Sequence, residues 1–535
     1  MIYNESTPRS PERRPSAPVA VALAAAALAA AFAASSCVSS PEPEPDPAAS
    51  APVAAAQAAP AAAAATGTAP ERTPWSLPGE PVSAWTMPSA PSAFMRANLP
   101  TIETRTLANG VTLIVKKNPA NRVFSMKIAF RGGSAMTGPE RAGIEAMTLA
   151  MLARGSTAYP YAALQRAQYE RSSSIGYSAS SYDWASFDLN TIDKYWDEMF
   201  AIYADCALSP AFDPAQFAVV QNDFKVSIQK SLADPYNFAV TRLHGKMFAG
   251  HPYAAEFGGS AESVAAITLD DVKAYYRDAM SADRMVVVAV GNFDADALAA
   301  SLNATVGSMP RKGIAVPAVE RFEPKEALYL ERFDKSKGVA YVRGDFPIAD
   351  PRSPDFPTLQ LAFSMLDELL FSIVRTDHGA CYSVWSKAFG FESAYGSLVV
   401  YKTDRPGEAK GWVDEAIALL ASGKTLNVKG GDEKYAPIAS TIEAYKAKYI
   451  NSFFGSQQTN AETAAQLVAG SVYFGDHLEY LRFIDKVNAI RPEDVVAAIK
   501  AYVVDAPVSW IVVADQGTLS KVDATRFERF TGTVE

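Results

Sequence analysis

Gly143–Thr157, GIEAMTLAMLARGST, decides how this 535-residue chain is read. Just before it, Val123–Phe130 sets Phe124, Met126, Ile128 and Phe130 on alternate positions, the period of a half-buried β-strand. Arg131-Gly132-Gly133-Ser134 breaks that strand. From about Arg141 the period changes. Ile144, Met147, Met151 and Leu152 recur at three- and four-residue spacing, which predicts a helix with a broad apolar face. Gly155 is placed to end it.

Outward from this unit the chain repeats itself. Asn109-Gly110 before Val111–Val115 signals a tight turn into a strand. Tyr161–Ser174 reads as a second helix and Tyr177–Leu189 as strands. Lys194–Leu208 and Pro214–Leu232 read as long helices, the second ending at Asp234-Pro235. Leu269–Tyr276 is predicted helical with acids in its first turn, followed by a strand at Met285–Val290. The same order returns near the C-terminus: a helix at Pro492–Ile499, then a strand at Val508–Val513. Asp271 and Asp494 correspond, about 220 residues apart. That spacing marks a duplicated domain, since solenoid repeats run at ~20–50 residues. The predicted fold class is therefore α+β, two homologous halves, each an antiparallel sheet packed with helices. Residues 96–308 form the first half, 309–325 a linker with Pro310, Gly313 and Pro317, and 326–535 the second.

The formal net charge is −9, and no basic run appears beyond the extreme N-terminus, so no nucleic-acid role is expected. Arg9, Arg13 and Arg14 precede the alanine-rich run Ala17–Ala34 and the small residues before Cys37. This is the order of a secretory signal over residues 1–37. A cysteine at that point resembles a bacterial lipoprotein signal, with Cys37 as the lipidation site; the alternatives are a cleaved soluble signal or an uncleaved anchor. Residues 38–95, rich in Pro and Ala, are expected to be a disordered tether. Cys206 and Cys381 either pair or stay free; two cysteines do not make a disulfide framework.

The strand, Gly-Ser turn and helix ending in Gly-Ser-Thr resemble the start of the insulinase/pitrilysin family of zinc peptidases. Leu107–Gly110, His251-Pro252-Tyr253, Leu269–Tyr276 and Arg375–Tyr382 follow in the order of that family. The resemblance implies two insulinase-type halves. It also implies that the helix should carry the motif H-x-x-E-H, two zinc ligands with a glutamate base between them. At the matching positions this chain has Ala146, Leu149 and Ala150, none of which binds a metal or accepts a proton. The family's third ligand, a glutamate on a later helix, falls in Val219–Ile228, where there is none. A catalytic zinc needs three such ligands. None of the four histidines, His244, His251, His378 and His477, lies in the first 243 residues. Glu145 beside the lost motif is expected to be an exposed helix glutamate and His251 a structural residue. Asp183, Asp188 and Asp193 are given no role.

Ile373–Val384 is the second informative stretch. It follows an apolar helix, Leu359–Leu370, and leads into a strand at Tyr382–Lys387. It resembles the family pattern R-x-x-x-G-x-x-Y, met by Arg375, Gly379 and Tyr382. The resemblance implies that Arg375 and Tyr382 reach the substrate, with Gly379 permitting the turn between them. An arginine fork and a tyrosine hydroxyl are suitable donors for the charge that develops on a peptide carbonyl. The competing reading pairs Arg375 with Asp377 or Asp367 and leaves Tyr382 an ordinary strand aromatic.

Some two-chain members of the family divide the work, one chain carrying the zinc motif and the other the Arg/Tyr pair. The expectation is a non-zinc subunit of a heterodimeric metallopeptidase, inactive alone and binding no cofactor itself. Zinc is expected in a homologous partner, and unfolded peptide as substrate. The chain would be exported, on the periplasmic side of a bacterial membrane and held there through a lipid anchor. The alternative is a catalytically inactive binding or scaffold subunit of a membrane-associated complex. No serine, cysteine or paired-carboxylate constellation for a separate peptidase mechanism is visible in the sequence.

Overall fold

The computed structural model describes residues 76–527, apart from 324 and 431. The expected signal, Cys37 and most of the expected tether lie outside the described residues. The first half holds β1 (Ile102–Thr106), β2 (Thr112–Lys117), β3 (Val123–Arg131), β4 (Ser174–Ser178), β5 (Trp184–Ile192) and β6 (Met285–Gly291). The second holds β7 (Ala327–Arg332), β8 (Ala340–Pro347), β9 (Cys381–Phe389), β10 (Tyr395–Thr403), the small hairpin β11 (Lys424–Leu426) and β12 (Tyr435–Pro437), and β13 (Ser509–Ala514).

The two main sheets share one topology. Their orders are β1-β2-β6-β3-β5-β4 and β7-β13-β8-β10-β9. In each, the strand that closes the half pairs parallel with an early strand, β6 with β2 and β13 with β7, and β1 is an added edge strand of the first sheet. All other pairs are antiparallel. The sheets are thus antiparallel-dominated, each with one parallel seam. The seam follows from the length of the intervening segment, since parallel neighbours need a long crossover. The strand β3 bears out the alternation: Phe124, Met126, Ile128 and Phe130 enter the core beneath the helices.

Each half also lends a helix to the other. Asn460–Tyr473 lays Ala464, Leu467 and Val468 on the far face of the first sheet, against Ile114, Ala129 and Val288. Pro235–Met247 lays Ala239 and Leu243 on the far face of the second, against Tyr341, Ile511 and Val513. Both sheets are therefore covered on both faces, which explains the nearly unbroken apolar runs of β6 and β13.

Polar side chains join the halves where this exchange leaves a gap. Asp183 of the first half accepts from the Tyr253 hydroxyl at 2.6 Å and from the backbone N–H of Glu392 at 3.1 Å. Tyr253 in turn accepts from the Ser393 N–H, and His251 bonds the Glu320 carbonyl at 2.8 Å. His251-Pro252-Tyr253 is thus a structural joint, and Asp183, which was assigned no role, is its centre. Burial pushes the Asp183 carboxyl up to about 6, although Tyr253 and the Glu392 amide oppose the shift. Asp188 instead pairs with Lys127 across β3 and β5 at 2.8 Å, and Asp193 with Arg122 at 2.7 Å.

The end of the expected tether needs correction. Residues 76–95 are a strap on the fold. Leu77, Val82 and Trp85 pack on the core of the second half. Buried Asp355 accepts the N–H groups of Val82 and Ser83 at 2.9 and 2.7 Å. Asp494 accepts that of Ala84 at 2.8 Å and Asp485 that of Ser92 at 2.8 Å. The strap has too few apolar residues to be legible as structured; three buried acids far downstream supply the partners its backbone needs. A second correction is smaller: the helix from Tyr161 stops at Glu170, and Ser174 already begins β4.

Candidate functional site

The helix Ile144–Leu152 forms where expected, and all nine of its residues are buried. Its N-cap, Gly143, has φ +88°, and a Cβ there would lie 2.9 Å from the Cα of Gly259. Only glycine allows this entry. Ala146, Leu149 and Ala150 are 3%, 0% and 5% exposed. The zinc positions of the resembled family are thus apolar and packed. Opposite them, on the helix Pro214–Ala233, the side-chain amide of Gln221 is committed to the carbonyls of Val264 and Ile267 at 3.0 and 2.9 Å. Among the described residues no group of three or more His, Cys, Asp or Glu could hold a metal ion. The donor set does not fit zinc.

Glu145 differs from expectation. It is buried, and its carboxylate receives the Arg284 guanidinium at 2.6 Å. Arg284 also reaches the Arg131 carbonyl at 2.7 Å, the Tyr275 hydroxyl at 3.3 Å and the Ala279 carbonyl at 3.2 Å. Burial works against the arginine charge, but Glu145 and Tyr275 more than offset it, and the guanidinium is held charged. A carboxylate locked in this way ties the helix to the start of β6 and is no general base.

The second half places its predicted residues together. The helix Asp355–Leu370 runs on as a wider, π-type turn over Phe371–Asp377, a local irregularity often found at functional sites. The N–H groups of His378 and Ala380 bond back to Ile373 and Val374 at 3.2 and 3.0 Å. Gly379, at φ +55° with open space around it, turns the chain into β9. This lifts Arg375 and Tyr382 onto one exposed surface. The guanidinium carbon of Arg375 lies 5.0 Å from the Phe371 ring centre and 5.7 Å from that of Tyr382. Tyr382 is 66% exposed.

Neither acid proposed to hold Arg375 does so. Asp377 is paired with Lys434. Asp367 accepts the Ser386 N–H at 2.9 Å, and burial pushes its carboxyl up to about 6. Among the described residues Arg375 has no ion pair. The strand β9 is the edge of its sheet, so its outer backbone groups have no strand partner among those residues. Phe371, which the sequence reading passed over, completes the patch and is 46% exposed. The apolar helix upstream gave no sign that it would surface there.

The two cysteines among the described residues are free: Cys206 is buried and Cys381 half-buried. Burial pushes their thiols up to about 12 and about 11, which removes either as a thiolate nucleophile.

The geometry defines a two-halved α+β protein in which the metal position is apolar and the opposite half keeps an exposed Arg/Tyr pair at a sheet edge. Residues 266–423, which include that pair, match the family model described as Peptidase M16 inactive domain. The match and the relatives fit an insulinase-type protein without the zinc motif. It is similar to the "Non-peptidase homolog YmxG" of Helicobacter pylori, 23% identical over 53% of this chain and 68% of that one. It is also similar to a mitochondrial cytochrome b-c1 complex reductase subunit of Candida albicans, 25% identical over 73% of this chain and 86% of that one. The solved structure of a peptidase M16 inactive domain from Pseudomonas fluorescens superposes with a TM-score of 0.68 at 20% identity, covering 78% of this chain and 98% of that one.

Proposed function

We propose that this chain is the non-zinc subunit of a two-chain zinc peptidase. The observation that carries the reading is the unpaired, exposed Arg375 beside Tyr382 at the open edge of β9. A residue kept for stability would be tied to an acid, and both nearby acids are engaged elsewhere. An extended peptide can add to β9 through main-chain hydrogen bonds. Arg375 and Tyr382 then donate to the scissile carbonyl oxygen as negative charge develops on it. Zinc held by the homologous partner would activate the attacking water. This chain would be inactive alone, and its substrate would be an unfolded peptide able to lie along the strand. The charge–apolar–small pattern before Cys37 supports export and lipid anchoring on the periplasmic side of a bacterial membrane.

The test is hydrolysis of a quenched peptide by the pair, with zinc per complex measured alongside. Arg375→Ala should lower turnover by about 100- to 1,000-fold, the cost of losing one oxyanion donor, and leave the zinc in place. Unchanged turnover would refute the assigned role. A second reading is a scaffold subunit, favoured by the similarity to the Candida albicans reductase subunit. A native assembly that lacks zinc and cleaves nothing would establish it instead.

A further inference from the structure

Lys402 is set apart by its backbone. Tyr401 and Thr403 of β10 oppose Tyr341 and Ala340 of β8, which are consecutive, so Lys402 is an extra residue on that side. Its φ is +57°, a left-handed conformation that disfavours a residue with a Cβ. Single-residue bulges of this kind re-aim side chains at sheet rims and beside active sites.

Here the bulge aims an ammonium group at the site already described. The Lys402 nitrogen lies 5.5 Å from the Tyr382 ring centre and 5.3 Å from that of Tyr401. Arg375 approaches the same Tyr382 ring at 5.7 Å. One exposed aromatic ring thus has two cations beside it, on a chain of net charge −9. The acids of the neighbourhood are committed: Asp377 to Lys434, Asp404 beside Arg405 at 3.8 Å, and Asp234 to the N–H groups of Tyr236 and Asn237. Among the described residues neither Arg375 nor Lys402 has a carboxylate partner.

Two cations beside one ring, neither with a carboxylate partner, favour an anionic ligand. We infer that Lys402 is a specificity-determining residue: it gives the Arg375/Tyr382 site a preference for peptides that present a carboxylate beside the bound strand. The inference rests on the peptide-binding reading of β9 and adds the substrate class. The carboxylate comes either from an Asp or Glu side chain within the peptide or from a free C-terminus.

Fluorescence anisotropy on the full chain tests this without the partner. Three extended peptides of one length are compared: uncharged and capped at both ends, the same with one internal Glu, and the same uncharged sequence with a free C-terminal carboxylate. At least one carboxylate peptide should bind about fivefold more tightly than the capped peptide, the upper range for a solvent-exposed charge pair. Which one does so identifies the source. The preference should shrink in high salt, vanish in Lys402→Gln and return in Lys402→Arg. Lys402→Gly, which relieves the backbone while removing the charge, should lose the preference and stay folded. Equal binding of all three peptides, or a preference untouched in Lys402→Gln, overturns the inference and leaves the peptide-binding reading intact. Binding of none of them overturns both.

Discussion

The helices Ile144–Leu152 and Asp355–Leu370 hold the same place in the two halves, each following the strand at the middle of its sheet. Their fates differ. The first is short and wholly buried, and it is sealed by the left-handed Gly155. The second outruns its sheet by the wider turn Phe371–Asp377 and delivers Arg375 to solvent before Gly379 reverses the chain. Where the resembled family has its zinc ligands this chain has buried apolar side chains, and burial of a Leu is worth about 1.5–3 kcal/mol. Where donors remain, the fold keeps them exposed and unpaired, with nothing to gain in stability. The difference separates residues held for packing from residues available for binding, within one fold and one chain.

The sharpest way to break that contrast is at Glu145. If the first helix is now purely structural, its buried ion pair should behave as a structural lock. Glu145→Ala leaves Arg284, 0% exposed, as an uncompensated buried charge. The expected loss is about 3–5 kcal/mol in urea unfolding. Replacing both partners by apolar residues, Glu145→Leu with Arg284→Met, should recover much of it. A single substitution that costs less than about 1 kcal/mol would mean that the pair is not what fixes the helix.

A middle-sized effect tests what binds the halves together. Asp183 has an ordinary pKa of 3.8, raised to about 6 in the fold. The folded protein thus holds this proton more tightly than the unfolded chain. Its contribution is fully present below about pH 4 and is lost as pH rises through 6. Asp367 shifts the same way for the same reason. Asp515 is opposite: its hydrogen bonds from Gly338 and Thr518 lower its pKa to about 2, so its contribution fades as pH falls below 4. The Asp183 and Asp367 carboxyls should therefore raise stability as pH falls from 7 to 5. His251 and His477, whose burial lowers their pKa, oppose this in part, and stability should fall in stronger acid. Asp183→Asn should flatten the upper limb by on the order of 2 kcal/mol. An unchanged slope would remove Asp183 as its origin.

How much of this was legible follows from how local each cause is. The strands β3 and β6, the buried helix and the duplication were readable because periodicity and turn residues act over a few positions. The missing ligand atoms were readable because Ala146, Leu149 and Ala150 lack them whatever surrounds them. The strap was not, since its order depends on Asp355, Asp485 and Asp494, hundreds of residues away. Glu145 looked like a surface residue because its partner, Arg284, lies 139 positions on. The site itself was half legible. Arg375 and Tyr382 are spaced by a motif, but Phe371 and Lys402 join them through a widened helical turn and a bulge, which no short sequence pattern announces.

The smallest expected change in folding is at Tyr382, and that is its value. A side chain 66% exposed, with no hydrogen bond from its hydroxyl among those described, contributes little to the core. Tyr382→Phe should leave the unfolding midpoint within about 0.5 kcal/mol of the parent, as for most surface changes. In complex with the zinc-carrying partner, the same change should slow peptide hydrolysis at least tenfold, because only the donor to the developing oxyanion has gone. Stability and turnover would then move independently at this position, whereas at Glu145 any loss of turnover should track loss of fold. If Tyr382→Phe altered neither, the exposed pair would be a remnant of the fold, and the contrast between the two helices would reduce to a difference in packing.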